Sequence, residues 1–170
     1  MEEAVPKHRS RRLITLSVVL LLAVIAAGSG WFINSGRHRG ITNNNEIPAY
    51  IAHQITGFTP YFLNQTSAVK FTLQKSTTTY QDNVLIFSMN GASGKTLAFT
   101  EEALPPGFDT STLSGDRQFN TSYGQGFIFD GLNRTTGTLL THDKTWVLIN
   151  APSPIGADLM EQVIDNLVPQ

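Results

Sequence analysis

The sequence predicts an α+β protein: an N-terminal transmembrane helix, then a mainly antiparallel β-sheet domain with a C-terminal amphipathic helix packed on it. Three observations lead to this fold class. Residues 13–33 are apolar and uncharged, residues 69–150 alternate short β-forming runs with polar turns, and apolar residues after Pro154 recur with helical periodicity. With 170 residues, 41% of them hydrophobic, the chain has room for one folded domain and an accessory segment.

The N-terminal apolar stretch, Leu13–Ile33, is 21 residues long. A helix of this length spans a hydrocarbon core of about 30 Å. Four cations precede the stretch and two follow it, which favours a cytoplasmic N-terminus. We therefore expect a signal anchor that crosses the lipid bilayer of the cell membrane once. The predicted parts are a cytoplasmic basic tail at 1–12, the anchor at 13–33, a flexible linker at 34–47 and an extracytoplasmic domain at 48–170.

A cleaved signal peptide is the alternative explanation of the same stretch. The small residues of Ala26–Gly30 would offer a cleavage site. However, the apolar run is longer than the core of a signal peptide, which is about 7–15 residues, and Trp31–Ile33 extend it. An uncleaved anchor is the favoured interpretation.

The central part of the chain predicts about six or seven antiparallel strands separated by polar turns. Eight runs are candidates for these six or seven strands, in chain order Val69–Leu73, Thr77–Tyr80, Val84–Met89, Lys95–Glu101, Gln118–Tyr123, Gly126–Asp130, Thr138–Thr141 and Thr145–Asn150. Turns are expected at 81–83, 90–94 and 142–144. Consecutive apolar residues at Val84–Phe87 predict a strand covered on both faces, and those at Trp146–Ile149 predict a central strand.

The two ends of this domain predict helical or irregular segments. Pro48–Gln54 is typical of a short helical turn, and Phe58–Phe62 of an irregular apolar segment. Near the C-terminus, Ser153 is expected to cap a helix that begins at Pro154 and ends before Pro169. The apolar residues that share one face of this helix are Leu159, Met160, Val163, Ile164 and Leu167. Burial of that face would hold the helix on the sheet.

Charge is divided unevenly along the chain, although the net charge is only −1. Residues 1–40 carry six Lys or Arg and two acids, a net +4, whereas residues 41–170 carry six Lys or Arg and eleven acids, a net −5. The acidic larger part would repel phosphate, so no nucleic-acid partner is expected. The absence of cysteine excludes disulfides and thiolate metal sites. No metal or cofactor is expected, because the histidines and acids lack ligand spacing.

No catalytic residues are expected, because each candidate motif is incomplete. Residues 89–96 resemble a phosphate-binding loop but lack its first glycine. Glu101 and Glu102 suggest paired carboxylates, yet adjacent strand residues point to opposite faces, so a solvated strand end is expected. A serine hydrolase would need a Gly-x-Ser-x-Gly turn, which the chain lacks. The weaker alternative is an envelope hydrolase that uses His142, Asp143 or Glu101.

Aromatic residues near the predicted turns form one candidate binding surface. Phe127 and Phe129, with glycines nearby, could line a curved sheet that opens onto an apolar pocket. Phe119 and Tyr123 belong to the preceding predicted strand and complete the candidate set. The expected ligand is apolar, such as a lipid held beneath the C-terminal helix. Burial of these side chains in the core is the favoured interpretation.

Two stretches carry a resemblance at the level of pattern. One runs from Tyr80 through Val84–Phe87 and Gly94–Leu97 to Glu101, and the other is Thr145–Ile149 with the helix that follows. Together they resemble small bacterial domains of unassigned function that lie outside the cytoplasm behind one transmembrane helix. Some of those domains are similar to the outer, sensor-like parts of membrane-bound anti-sigma factors. The resemblance implies a sensing or interaction role, but not sigma-factor sequestration, because only 12 residues precede the predicted anchor.

The sequence thus predicts a single-pass membrane protein that displays a non-enzymatic interaction or sensing domain outside the cytoplasm. Its expected partner, besides the bilayer, is an envelope protein or an apolar ligand. A binding module for a lipid-like ligand is the second hypothesis, and an envelope hydrolase is the third.

Overall fold

The computed structural model describes residues 47–64 and 69–170 of the chain. The predicted tail, the predicted anchor and all but the last residue of the predicted linker lie outside these ranges. Within them, no helix is both long and apolar enough to cross a membrane.

The described residues form nine strands, seven of which make one antiparallel sheet. The strands are β1 Tyr61–Leu63, β2 Phe71–Gln81, β3 Val84–Gly91, β4 Thr96–Ala103, β5 Arg117–Asn120, β6 Gly124–Gly131, β7 Arg134–Thr141, β8 Thr145–Ala151 and β9 Leu167–Pro169. The main sheet has the order β2-β3-β4-β8-β7-β6-β5. Two meanders meet where β4 pairs with β8, so β8 is the central strand. The predicted antiparallel sheet and the central position of β8 are confirmed.

The helical segments lie at the two ends of the domain. Helix α1 spans Ala49–Ala52, within the short helical turn predicted there. Helix α2 spans Ala157–Asp165, and its N-cap is Gly156 at a φ of 80°. The predicted start at Pro154 is therefore wrong. Because the left-handed backbone of Gly156 turns the chain just before Ala157, the helix begins after that glycine. Short 3₁₀ turns occur at Ala92–Gly94 and Thr110–Thr112.

A separate pair of short strands joins the two ends of the domain. β1 pairs with β9 in antiparallel register, with Leu63 opposite Leu167. The prediction of an irregular segment at Phe58–Phe62 is wrong for its last two residues, which begin β1. The predicted continuation of the C-terminal helix to Leu167 is also wrong. The helix ends at Asp165, and Leu167 lies opposite Leu63 as the first residue of β9.

Two tight turns have backbone conformations that their residues tolerate. The β2–β3 turn places Asp82 and Asn83 at φ of 52° and 63°, as in the mirror-image turns that suit a twisted hairpin. The β7–β8 turn has Lys144 at a φ of 67°. Both lie where turns were predicted. Aspartate and asparagine enter this left-handed region more readily than other non-glycine residues, so the residues of the β2–β3 turn alone are enough to predict it.

Helix α2 packs directly on the sheet at Gly137 of β7. A Cβ atom on Gly137 would lie 2.7 Å from the Met160 sulfur and 2.8 Å from Cδ1 of Ile164. Met160, Val163 and Ile164 are buried, as the predicted apolar face requires. The absence of a side chain at Gly137 thus allows the helix to approach the strand closely.

The core beside the helix contains a stack of three phenylalanine rings. The Phe87 ring lies 4.5 Å from that of Phe62 and 4.7 Å from that of Phe99, and both pairs are nearly parallel. Phe62 belongs to β1, so the stack fastens this short strand to β3 and β4. On the opposite face Ile86 remains 40% exposed, and the prediction of a doubly covered strand at Val84–Phe87 is wrong. That face is covered farther along the sheet, where Phe108 contacts Trp146.

Candidate functional site

A buried carboxyl group lies near the end of the sheet that carries the β7–β8 turn. Glu101 of β4 is 0% exposed, between Leu85 of β3 and Val147 of β8. It follows Leu97 and Phe99 on the same face of the strand, and both of these residues are also buried. The expected solvated strand end is therefore wrong for Glu101. Strand alternation carries it into the core because β1 covers this face.

One oxygen of Glu101 has a partner and the other does not. Oε2 accepts a hydrogen bond of 3.0 Å from the backbone N–H of Tyr61. Oε1 has no hydrogen-bond partner among the described residues. Burial raises the pKa of Glu101 well above its usual range, and the single bond from Tyr61 lowers it only in part. Burial therefore favours the neutral, protonated form of this side chain.

The side chain of Tyr61 extends from this acid to the β7–β8 turn. Its hydroxyl donates to Oδ2 of Asp143 at 3.2 Å, and its ring meets that of Tyr123 edge-on at 5.7 Å. Burial and the neighbouring Asp143 anion raise the pKa of Tyr61 to about 12. Burial also raises the pKa of Asp143, but hydrogen bonds from Thr141 and other neighbours outweigh it and lower the pKa below its usual value. Asp143 is accordingly an anion and Tyr61 its neutral donor.

Two threonines fasten the segment before β1 to the same turn. The buried Thr145 donates from Oγ1 to the carbonyl of Thr59 at 2.9 Å and accepts from the Thr59 N–H at 3.3 Å. Oγ1 of Thr141 accepts from the N–H of Thr145 at 2.8 Å and donates to Asp143. Tyr61, Glu101, Thr141, Asp143 and Thr145 form what we call the Glu101 cluster. Its hydrogen bonds hold β1 against the end of the sheet.

An open groove of about 530 Å³ lies beside this cluster. It is lined by Leu104, Thr110, Asn120, Thr121, Gly124, Gln125, Leu140, Thr141 and His142. The hydroxyl and amide groups in this lining are neutral, and His142 is its one ionisable residue. Thr141 belongs both to the groove and to the Glu101 cluster. The groove therefore offers hydrogen-bonding groups for a neutral polar ligand or a protein loop.

The four aromatic residues predicted to bind an apolar ligand do not converge. Phe127 is buried opposite Gln118, whereas Phe119 lies opposite Gly126, so the two rings point to opposite faces of the sheet. Phe129 is half-buried on the face of Phe127. Tyr123 packs on Tyr61, away from Phe127. The expected lined space beneath the helix is filled at Gly137, where α2 contacts β7. Ligand binding by these residues stays a prediction.

The residues considered for catalysis are also separated. His53 and His142 are both exposed, and they lie in α1's C-cap and the β7–β8 turn. Glu102 lies opposite Trp146 on the face away from Glu101. Across residues 47–64 and 69–170, no group of three His, Asp or Glu side chains could hold a metal ion. The histidines and acids considered for catalysis therefore do not come together within the described part of the chain.

The sequence contains a local signal for the buried acid. Residues Leu97, Phe99 and Glu101 are spaced by two, which places Glu101 on the apolar face of its strand. The contacts of Tyr61 with Glu101 and Asp143 had no comparable signal, because 40 and 82 residues separate the partners.

Searches of protein-family models, curated proteins and solved structures found no match to this chain. The chemistry of the cluster and the groove therefore carries the functional inference.

Proposed function

We propose that this chain is a single-pass membrane protein whose β-sheet domain acts outside the cytoplasm as a non-enzymatic interaction or sensing domain. The observation that carries the proposal is the groove at the β7–β8 end of the sheet. Hydroxyl and amide groups line it beside Leu104, Leu140 and His142, and these groups can bind a partner through hydrogen bonds.

The Glu101 cluster supports binding in preference to catalysis. A catalytic acid or base must reach a substrate. Glu101 is sealed in the core, and Asp143 is engaged by Tyr61 and Thr141. These groups hold β1 and the β7–β8 turn in place beside the groove. They therefore act as structural supports of a binding surface.

The sequence supports the membrane and sensing parts of the proposal. The 21 uncharged residues of Leu13–Ile33 are long enough for an anchor, and the flanking cations favour an outward-facing C-terminal domain. The resemblance to the outer domains of membrane-bound anti-sigma factors favours sensing.

The membrane orientation can be tested with the cysteine-free chain itself. Ser153→Cys places one thiol on an exposed residue of the sheet domain, and Ser10→Cys places one in the predicted tail. We expect a membrane-impermeant maleimide to label the first variant in intact cells and the second only after lysis. The reverse pattern, or recovery of the unmodified chain from the soluble fraction, contradicts the proposed topology.

The groove can be tested in the same cells by photo-crosslinking. A photoreactive amino acid replaces Gln125, which lines the groove, or Gln162, which is exposed on α2 and serves as the matched control. We expect a discrete adduct from position 125 and none from position 162. Equal adducts from both positions, or none from position 125, would reject the groove as the contact surface.

A further inference from the structure

We propose that Glu101 is a proton-binding site that holds β1 and β9 on the sheet, and that loss of its proton releases these two strands. The inference deepens the proposed sensing role, on which its biological meaning rests, by naming the proton as the signal. The structural event itself depends only on the described residues.

The surroundings of Glu101 favour the neutral acid. Its strand neighbours Leu85 and Val147 are apolar, and it receives one hydrogen bond, from Tyr61. An ionised carboxylate buried in this way has too few donors to replace its hydration. The unpartnered Oε1 is the atom that would carry the proton.

No described cation offsets a charge at this position. The two ion pairs of the described residues both belong to Arg117, with Asp158 and Glu161 of α2. Titratable and charged groups on the elements around Glu101 are Tyr61 on β1, Lys75 and Tyr80 on β2, Glu102 on β4, and His142, Asp143 and Lys144 in the β7–β8 turn. None of the three cations or imidazoles among them contributes to the pKa of Glu101. The Tyr61 hydroxyl donates a hydrogen bond to Asp143, and the Tyr80 hydroxyl donates one to Asn83. Glu102 lies on the face of the sheet opposite to Glu101. Burial and the one hydrogen bond from Tyr61 therefore govern the pKa of Glu101.

β1 is the element whose release would solvate Glu101 with the least disruption. It is three residues long and its backbone pairs with the equally short β9. Side-chain contacts complete its attachment: the Phe62 ring on Phe87, Tyr61 on Asp143, and the bonds between Thr59 and Thr145. Opening such a segment requires less free energy than unfolding the seven-stranded sheet.

Linkage gives the size and sign of the effect. The closed form binds the proton tightly, whereas the open form exposes a carboxyl group with an ordinary pKa of about 4.3. Between that value and the raised pKa of the closed form, each pH unit increases the open population up to tenfold. Opening would expose the rings of Phe62 and Phe87, which are both buried in the closed form.

Hydrogen exchange on the full chain in nanodiscs measures this opening. Protection of the β1 and β9 amides is followed against pH after correction for the chemical exchange rate, with β7 as an internal reference. In the wild type we expect protection of β1 and β9 to fall by up to tenfold per pH unit, while β7 changes little. Glu101→Gln keeps an oxygen acceptor for Tyr61 but cannot ionise, and it should remove the dependence. Glu102→Gln, the same change on the opposite face, should retain it.

Protection of β1 that is independent of pH in the wild type, or a dependence that survives in Glu101→Gln, would overturn the proposal. If Glu101→Gln fails to fold, Glu101→Met supplies a second non-ionising side chain. Infrared spectroscopy provides a direct readout: the carbonyl band of a protonated carboxylic acid should disappear at alkaline pH and be missing from either variant. The membrane-topology experiment is independent of this one. If the opening of β1 depends on pH but the chain has the opposite orientation in the membrane, the proposed sensing role is rejected and the proton-dependent opening stands.

Discussion

Replacing Glu101 with glutamine should change the pH dependence of the global stability of this protein. Below the ordinary glutamate pKa of about 4.3, folded and unfolded chains both carry the proton, and Glu101 contributes no slope. Above it, the unfolded chain releases the proton while the folded chain retains it, because burial raises the folded pKa. The wild type then loses up to about 1.4 kcal/mol of stability per pH unit until the folded pKa is passed.

The size of this change in stability follows from the release of one proton by a fully buried carboxyl group. Over two pH units within this window, the stability of Glu101→Gln relative to wild type should increase by up to about 2.7 kcal/mol. Urea unfolding of both full chains in the same detergent at a series of pH values measures this difference, and every other titrating group is common to both. A difference that stays constant with pH would show that Glu101 ionises normally in the folded protein, which refutes the reasoning.

Three further changes test the packing around this site. Gly137→Val inserts atoms where a Cβ would already lie 2.7 Å from the Met160 sulfur, so urea unfolding should show a loss of about 1–3 kcal/mol. Gly57→Val, at a position with no atom within 4 Å of its Cβ, should be near neutral, and equal losses would contradict the close approach of α2. Phe62→Ala should remove about 3–5 kcal/mol and the exchange protection of β1; retained protection would show that the ring stack does not hold this strand. Tyr61→Phe should eliminate the tyrosine that ionises at about pH 12 in an ultraviolet titration. Because burial and Asp143 raise the Tyr61 pKa, the stabilising effect of Tyr61 is present below about pH 10 and is lost as the pH rises through about 12. A titration that is unchanged in Tyr61→Phe would show that Tyr61 is not the tyrosine that ionises at about pH 12.

Elements governed by neighbouring residues were predictable. The Asp82–Asn83 turn and the turn at His142–Lys144 both join strands that follow each other in the sheet. The apolar run of Trp146–Ile149 placed β8 at the centre, because a strand with neighbours on both sides needs few polar residues. Met160, Val163 and Ile164 are buried, as their helical spacing indicates.

Elements governed by distant partners were not predictable in the same way. Leu167 fits the periodicity of α2, yet it pairs with Leu63 of β1, more than 100 residues earlier. The Leu167 side chain would be buried in a helix as well as in a strand, so the spacing of apolar residues cannot distinguish the two conformations. Ile86 has a similar ambiguity: an apolar strand predicts two covered faces, but whether a loop covers the second face depends on the route of the rest of the chain.

The sequence by itself determined the sheet, its local turns and the apolar face of the helix, because period and turn chemistry act over a few residues. Strand alternation also places Glu101 on the face of Leu97 and Phe99, against the expected solvated strand end. Only the tertiary structure decided that β1 covers this face, since the partners Tyr61 and Asp143 meet across 82 residues of chain. Because β1 covers it, the acid at the end of this strand is buried, and its carboxyl group accepts a hydrogen bond from the Tyr61 N–H of β1.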